Sequence, residues 1–268
     1  MKAPELHSIK RIEKQLHTGE EPVLVMCSDI NIYVCKYMRS SASAYKLVCE
    51  FIGSIMAKTW KLPTPDYALI RIKADHWEGI NLSHSVSAPS IGTKWLNGVV
   101  DITPSTYKEV PVSIKTLNQL LWISLFDFWI ANEDRNANNA NLMFDVINNQ
   151  LISIDYGCIL NTATFDYPLT QLTTNETILC SDIFQHLSQR QEQSVILQLA
   201  KQMETDYSAY ILRCQAIMPQ IIEELPLEWN VPLSTIQDKL AQLSDKNWIS
   251  DTWNNFIDSL IDNINYEK

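Results

Sequence analysis

Hydrophobic and polar positions change rhythm several times along this chain. In residues 22–38, PVLVMCSDINIYVCKYM, the apolar runs VLVMC and IYVCKYM flank Ser28, Asp29 and Asn31, which favour turns. The pattern predicts two β-strands and a tight turn. Residues 43–60, SAYKLVCEFIGSIMAKTW, shift to a helical period, with Tyr45, Val48, Ile52, Ile55 and Met56 on or near one face. Leu62-Pro63-Thr64-Pro65 stops that helix, because proline removes a backbone donor and restricts the residue before it. DYALIRIK then predicts a strand, so the order to residue 75 reads strand, strand, helix, strand.

Residues 76–110 show neither period. Ser83, Ser85, Ser87, Ser90, Pro89, Gly92 and Pro104 punctuate them, and the expectation is an irregular connection between two lobes. Residues 113–131, SIKTLNQLLWISLFDFWIA, predict a helix apolar around most of its circumference, suited to the middle of a helical lobe, with Ser113 as N-cap. After the polar stretch NEDRNANNAN, the runs LMFDVI and QLISID flank Asn148-Asn149, a hairpin signal because Asn tolerates positive φ. From about residue 178 the period is helical again: DIFQHLSQRQEQSVILQLAKQM, STIQDKLAQL, and Trp248 to Ile264. The fold class expected is α+β. A small antiparallel-sheet lobe should span 1–100 and a larger helical lobe 101–268. The sequence holds no internal repeat and no low-complexity tract.

Composition narrows the function classes. The chain has 268 residues, 46% hydrophobic and 19% charged, which is ordinary for a globular protein. The net charge is −10, from 31 acidic and 21 basic residues, and no Lys/Arg run is present, so direct nucleic-acid binding is not expected. The six cysteines (Cys27, Cys35, Cys49, Cys158, Cys180, Cys214) include no C-x-x-C spacing and read as free thiols, buried where the pattern is apolar. The five histidines show no helical metal spacing, so no zinc site is expected. No signal-peptide core precedes the first strand and no apolar run reaches a membrane-span length; the expectation is a cytoplasmic protein with no membrane contact.

The chemistry concentrates in Asp134-Arg135-Asn136-Ala137-Asn138-Asn139-Ala140-Asn141 and in Ile154-Asp155-Tyr156-Gly157. Asp134 and Asn139 stand five apart in a loop after a buried helix, and Asp155 ends the hairpin that follows. Because a hairpin returns to its start, Asp155 should lie near Asn139 and Asp134. Phosphoryl transfer uses such a trio: one carboxylate accepts the proton of the attacking hydroxyl, while an amide oxygen and a second carboxylate hold Mg²⁺. Gly157 would let the chain turn sharply after the ligand. In the first half, Lys36 lies in an apolar strand and needs a counter-charge, and Glu50 on the next helix can supply it. Taken alone, the same residues also fit an exposed edge-strand lysine, a solvated helix glutamate and a polar turn.

YVCKY, CEFIGSIMAKTWKLPTP, NEDRNANNANLMF and ISIDYG together resemble the HipA-like kinases over roughly residues 8–160, with a D-R order also similar to phosphoinositide kinases. The resemblance implies a two-lobed protein-kinase-like fold that uses ATP and Mg²⁺. Lys36 and Asp134 would be catalytic, and Lys36, Glu50 and Asn141 would serve the nucleotide side, with Asn141 a supporting loop residue. Asn139 and Asp155 would bind the metal. It further implies a serine/threonine protein substrate and a toxin–antitoxin role with an antitoxin or other companion protein. Two departures stand out. No G-x-G-x-x-G loop precedes Lys36, which leaves Cys27–Asn31 or His17–Glu21 to cover phosphate, and no A-P-E-like segment follows Asp155. A small-molecule or lipid kinase, and a nucleotide-binding pseudokinase acting as an interaction module, are the alternatives.

Overall fold

The computed structural model describes residues 2–80 and 87–264. Its first sheet is built from β1 (Glu5–His7), β2 (Lys14–Gln15), β3 (Val23–Met26), β4 (Ile32–Lys36), β5 (Tyr67–Arg71) and β6 (Ser90–Lys94), in the order β1-β5-β6-β4-β3-β2. The pairs are antiparallel except β1 with β5, which run parallel. The helix α1 (Ser41–Thr59) follows β4 and packs against this sheet. A second sheet, ordered β7-β8-β9, joins β7 (Val99–Asp101), β8 (Leu142–Asp145) and β9 (Gln150–Ser153). The larger helical portion holds α2 (Ile114–Ile130), α3 (Asp182–Ser188), α4 (Gln193–Glu224), α5 (Leu233–Leu243) and α6 (Lys246–Ile264). The architecture is thus α+β, with a small sheet lobe and a larger helical portion, as the sequence pattern implies.

The stretch 76–110 corrects the sequence reading. Residues 81–86, with Ser83 and Ser85, lie outside the described residues, but Ser90–Lys94 is a strand between β4 and β5 in the middle of the sheet. Its sequence, SIGTK, hides the strand because β4 and β5 hydrogen-bond it on both sides while Gly92 supplies no side chain. A Cβ on Gly92 would stand 2.2 Å from Ile70 Cδ1 and 3.2 Å from Cys35 Sγ, so the small residue is what lets the sheet face close. Strands β1 and β2 also escaped the pattern, having only three and two residues in which to show a period.

One continuous core runs from α1 into the helical portion. Trp60, just past α1, stacks on Trp129 at 5.3 Å and on Tyr210 at 5.6 Å, and meets Trp122, Phe126 and Tyr207 edge-on. Burying one such aromatic side chain stabilises a fold by about 1.5–3 kcal/mol. The other face of the first sheet has a smaller core around Val23, Val25, Cys35, Ile70 and Trp77.

Helix ends aim the loops that matter. Ser113 caps α2 by accepting the Thr116 N–H at 3.1 Å. At the other end Ala131 takes the left-handed conformation, φ 51°, and turns the chain sharply into Asn132-Glu133-Asp134. In the hairpin β8–β9, Asp145 Oδ1 accepts the Ile147 and Asn148 backbone N–H groups and Asn149 adopts φ 50°. The turn therefore forms where the Asn148-Asn149 signal lies.

Candidate active site

β4 delivers Lys36 at its end, and α1 carries Glu50 across from it. Lys36 Nζ lies 2.8 Å from Glu50 Oε2, 2.6 Å from Asp155 Oδ1 and 3.2 Å from Glu20 Oε2. Glu50 is 2% exposed, and its Oε2 also accepts the Tyr156 backbone N–H at 3.0 Å. Burial by itself would lower the Lys36 pKa, but Glu50, Asp155 and Glu20 together hold it well above the ordinary lysine value. Burial pushes the Glu50 carboxyl up, with Lys36 opposing. At Asp155 burial is outweighed by the Lys36 ammonium and by hydrogen bonds from Lys36 and Gly157, so its pKa falls below the ordinary aspartate value.

Asp155 reaches this position through a left-handed backbone, φ 58°, a conformation that costs a non-glycine residue energy and recurs at functional sites. The sharp turn is therefore made by Asp155 itself. Gly157, expected to make it, is not among the positive-φ residues. Its Oδ1 partner and its lack of side chain matter instead: Gly157 N–H donates to Asp155 Oδ1 at 3.2 Å, and a Cβ there would stand 3.5 Å from Lys36 Nζ and 3.8 Å from Glu20 Oε1. A side chain would fill the space the charged groups face. On α1, Gly53 permits the approach of this segment, since a Cβ would lie 2.3 Å from Tyr156 Cβ.

The loop after α2 forms a second group. Asp134 Oδ2 accepts Asn139 Nδ2 at 3.0 Å and Asn141 Nδ2 at 3.1 Å. With both amide nitrogens turned toward Asp134, each Oδ1 is left as an acceptor. Backbone contacts stitch this loop to the hairpin end: Ile154 N–H donates to Asn141 O at 3.1 Å, and Glu133 N–H to Cys158 O at 3.3 Å. The structure thus joins Lys36, Glu50 and Asp155 directly, and Asp134, Asn139 and Asn141 directly. Asn139 bonds Asp134 rather than Asp155.

Arg135 links the two groups from beneath. Its Nη1 donates to Asp127 Oδ1 at 2.7 Å and its Nη2 to Ile154 O at 2.7 Å, the carbonyl just before Asp155. Asn132 Nδ2 donates to the same Asp127 oxygen at 2.9 Å, and the guanidinium lies over the Tyr156 ring at 5.4 Å. Arg135 and Asp127 side chains are 0% and 1% exposed. Burial raises the Asp127 pKa to about 6 against the opposing pull of Arg135.

The donor chemistry suits Mg²⁺. That ion takes oxygen ligands, keeps several waters, and is commonly held by one or two protein groups plus substrate phosphates. Asp155 stays ionised and Asn139 presents an amide oxygen, so the two could hold it. No cluster of three His, Cys, Asp or Glu side chains fit to hold a metal occurs among the described residues, and a site of this kind does not require one.

Of the two segments offered to cover phosphate, Cys27–Asn31 lies at the wrong end. It turns beyond the Met26↔Ile32 pair, roughly 13 Å of strand away from Lys36 at about 3.3 Å per residue. The His17–Glu21 segment instead brings Glu20 onto Lys36. Sequence reasoning missed Glu20, Lys46, Asp127 and Arg135. Lys46 could have been found, since it precedes Glu50 by four on α1 and so shares its face. The six cysteines are free, with Cys27, Cys35, Cys49 and Cys214 buried. Among the described residues no helix is long and apolar enough to cross a membrane.

A family model described as HipA-like kinase matches residues 9–256. Among solved structures, a Helicobacter pylori proinflammatory kinase, CtkA, is similar over 99% of this chain and 100% of its own, with a TM-score of 0.51 and 13% identity. The FAT and kinase domain of CtTel1 aligns with 93% of this chain and 22% of its own, with a TM-score of 0.34 and 11% identity. No curated protein matches. The CtkA likeness bears on the fold.

Proposed function

The chain belongs to the HipA-like kinase family, and from that premise we propose that it transfers the γ-phosphoryl group of ATP, with Mg²⁺, to the hydroxyl of a serine or threonine in a protein. The observation that carries this reading is the Lys36 ammonium held between Glu50 on α1 and Asp155 at the hairpin end. Phosphoryl transfer asks a protein mainly to position groups and to neutralise charge. Lys36 meets the phosphates. Glu50 fixes Lys36 and, through the Tyr156 N–H, fixes the backbone next to Asp155. Asp155 and Asn139 hold the metal, which when bound offsets the charge of the phosphate oxygens.

Asp134 is the proton acceptor. Its Oδ2 is fixed by Asn139 and Asn141, which leaves Oδ1 as the oxygen available to an incoming hydroxyl. The companion of this kinase would be an antitoxin-type protein, as in the toxin–antitoxin arrangement to which the family resemblance points.

Asp134→Asn separates chemistry from binding. It keeps the shape and removes the negative charge. Calorimetry should show nucleotide binding retained, while transfer of labelled phosphate to lysate proteins falls by roughly 10²–10⁴-fold. Equal transfer by variant and wild type would remove Asp134 from its role. Absence of transfer by both, with nucleotide still bound, would make the protein a pseudokinase.

A further inference from the structure

Glu20 is the one carboxylate around Lys36 that the proposed chemistry does not use. It sits on the segment between β2 and β3, where Leu16 N–H donates to Pro22 O at 2.8 Å and Glu21 N–H to Thr18 O at 2.9 Å. Its Oε2 lies 3.2 Å from Lys36 Nζ and its Oε1 lies 2.9 Å from Lys46 Nζ. One carboxylate thus spans two ammonium groups with one oxygen each, directly above the space that Gly157 leaves open. A phosphoryl group presents its oxygens to cations in the same manner.

The three carboxylates at Lys36 are not held alike. Glu50 is anchored by the Tyr156 N–H and Asp155 by the Gly157 N–H. Glu20 accepts no backbone N–H among the described residues and is held by the two lysines alone. Its neighbour Glu21, at φ 46°, pairs with Arg39 at 2.7 Å and adds one more ionic tether to the same segment. The Lys46 and Arg39 ends of these pairs are 42% and 41% exposed, so water and competing anions reach them.

We infer that Glu20 stands where a nucleotide phosphate would bind and closes the site in its absence, and that Lys46 becomes a second phosphate-binding cation once the nucleotide displaces Glu20. The inference rests on the kinase reading above and adds to it a competitor and a ligand. The segment Leu16–Pro22 then works as a strap that lifts when a stronger anion takes its two lysines. Its hinge points are the ends of β2 and β3, and its latch is electrostatic.

Calorimetry on the full chain tests this with ATP and Mg²⁺ against adenosine, which has no phosphate. Glu20→Gln should tighten ATP by about two- to fivefold, the scale of one partly exposed ion pair, and leave adenosine unchanged. Lys46→Met should weaken ATP by a similar factor, and Lys46→Arg should retain wild-type affinity. Both side chains are only part-buried, at 27% and 42% exposed, and unchanged thermal midpoints in the three variants would exclude a folding effect. ATP affinity unaltered or weakened by Glu20→Gln overturns the strap, and ATP affinity unaltered by Lys46→Met overturns the second cation. Should these variants behave as wild type while Asp155→Asn still abolishes Mg²⁺-dependent ATP binding, the inference fails and the kinase reading stands. Absence of ATP binding in wild type and in Glu20→Gln overturns both.

Discussion

Two ionic centres lie close to the end of the β8–β9 hairpin, and they differ in burial and in charge balance. At Arg135 and Asp127, one cation meets one carboxylate, both are out of reach of water, and the remaining guanidinium bond goes to a backbone carbonyl. At Lys36, one cation meets three carboxylates, its side chain is 13% exposed, and Asp155 is 36% exposed. The first centre is balanced in charge; the second carries an excess of negative charge at an open edge. The balanced pair is closed to ligands by burial, although Asp127 Oδ2 and Arg135 Nε have no hydrogen-bond partner among the described residues. An open, over-supplied one can exchange a carboxylate for phosphate or share one with a cation. The same kind of bond is thus a rivet in one place and open to exchange in the other.

The largest effect expected from breaking this contrast is at the rivet. Arg135→Met should cost about 3–5 kcal/mol of stability in denaturant titration, because it strands the Asp127 carboxylate and frees the Ile154 carbonyl. Millimolar Mg²⁺ should not restore it. Lys36→Met removes the cation that three carboxylates share at an open edge, and there Mg²⁺ should raise the thermal midpoint. Equal responses to Mg²⁺ in the two variants would erase the distinction.

Glu50 sharpens the comparison, since it is as buried as Asp127 yet belongs to the open centre. Glu50→Gln keeps an acceptor for the Tyr156 N–H and loses the charge facing Lys36. A loss of about 1.5–3 kcal/mol is expected, the range for a hydrogen bond to a charged group. A loss as large as that of Arg135→Met would place Glu50 with the rivet.

The smallest effect is in titration. The Asp127 carboxyl should titrate near about 6 and that of Asp155 below the ordinary aspartate range, in carboxyl-carbon NMR. Folding raises the first value, so the Asp127 contribution to stability declines as pH rises from the unfolded aspartate value to about 6, and is level above that. Folding lowers the second, so the Asp155 contribution is present above the unfolded value and is lost as pH falls through the folded one. Asp127 titrating at an ordinary aspartate value would show that its centre is wetter than the geometry implies.

Much of the open centre is legible in sequence because its parts sit on strong local signals. Lys36 ends an alternating strand, Glu50 rides a periodic helix, and Asp155 closes a hairpin whose Asn148-Asn149 turn is evident. The buried centre was not found. Asp127 falls inside a run of apolar helix positions, and Arg135 reads as one more polar loop residue. Nothing local says that these two meet. The central strand β6 is hidden for a related reason: its stability comes from neighbours brought from elsewhere in the chain, while its own residues, with Gly92 among them, carry no pattern. Glu20 and Lys46 were missed because their meeting depends on how a strap folds over a helix face.

The Trp60 stack has a consequence for how this chain is made. Trp60 leaves the ribosome long before Tyr207 and Tyr210, the rings it packs against. At about 5–20 residues per second, the interval is on the order of ten seconds. Through that time α1 and the Trp60 ring that follows it lack their cover from α4. The part of the molecule that carries Lys36 and Glu50 is therefore completed only when the helical half has been synthesised, and a nascent chain exposes apolar surface in between.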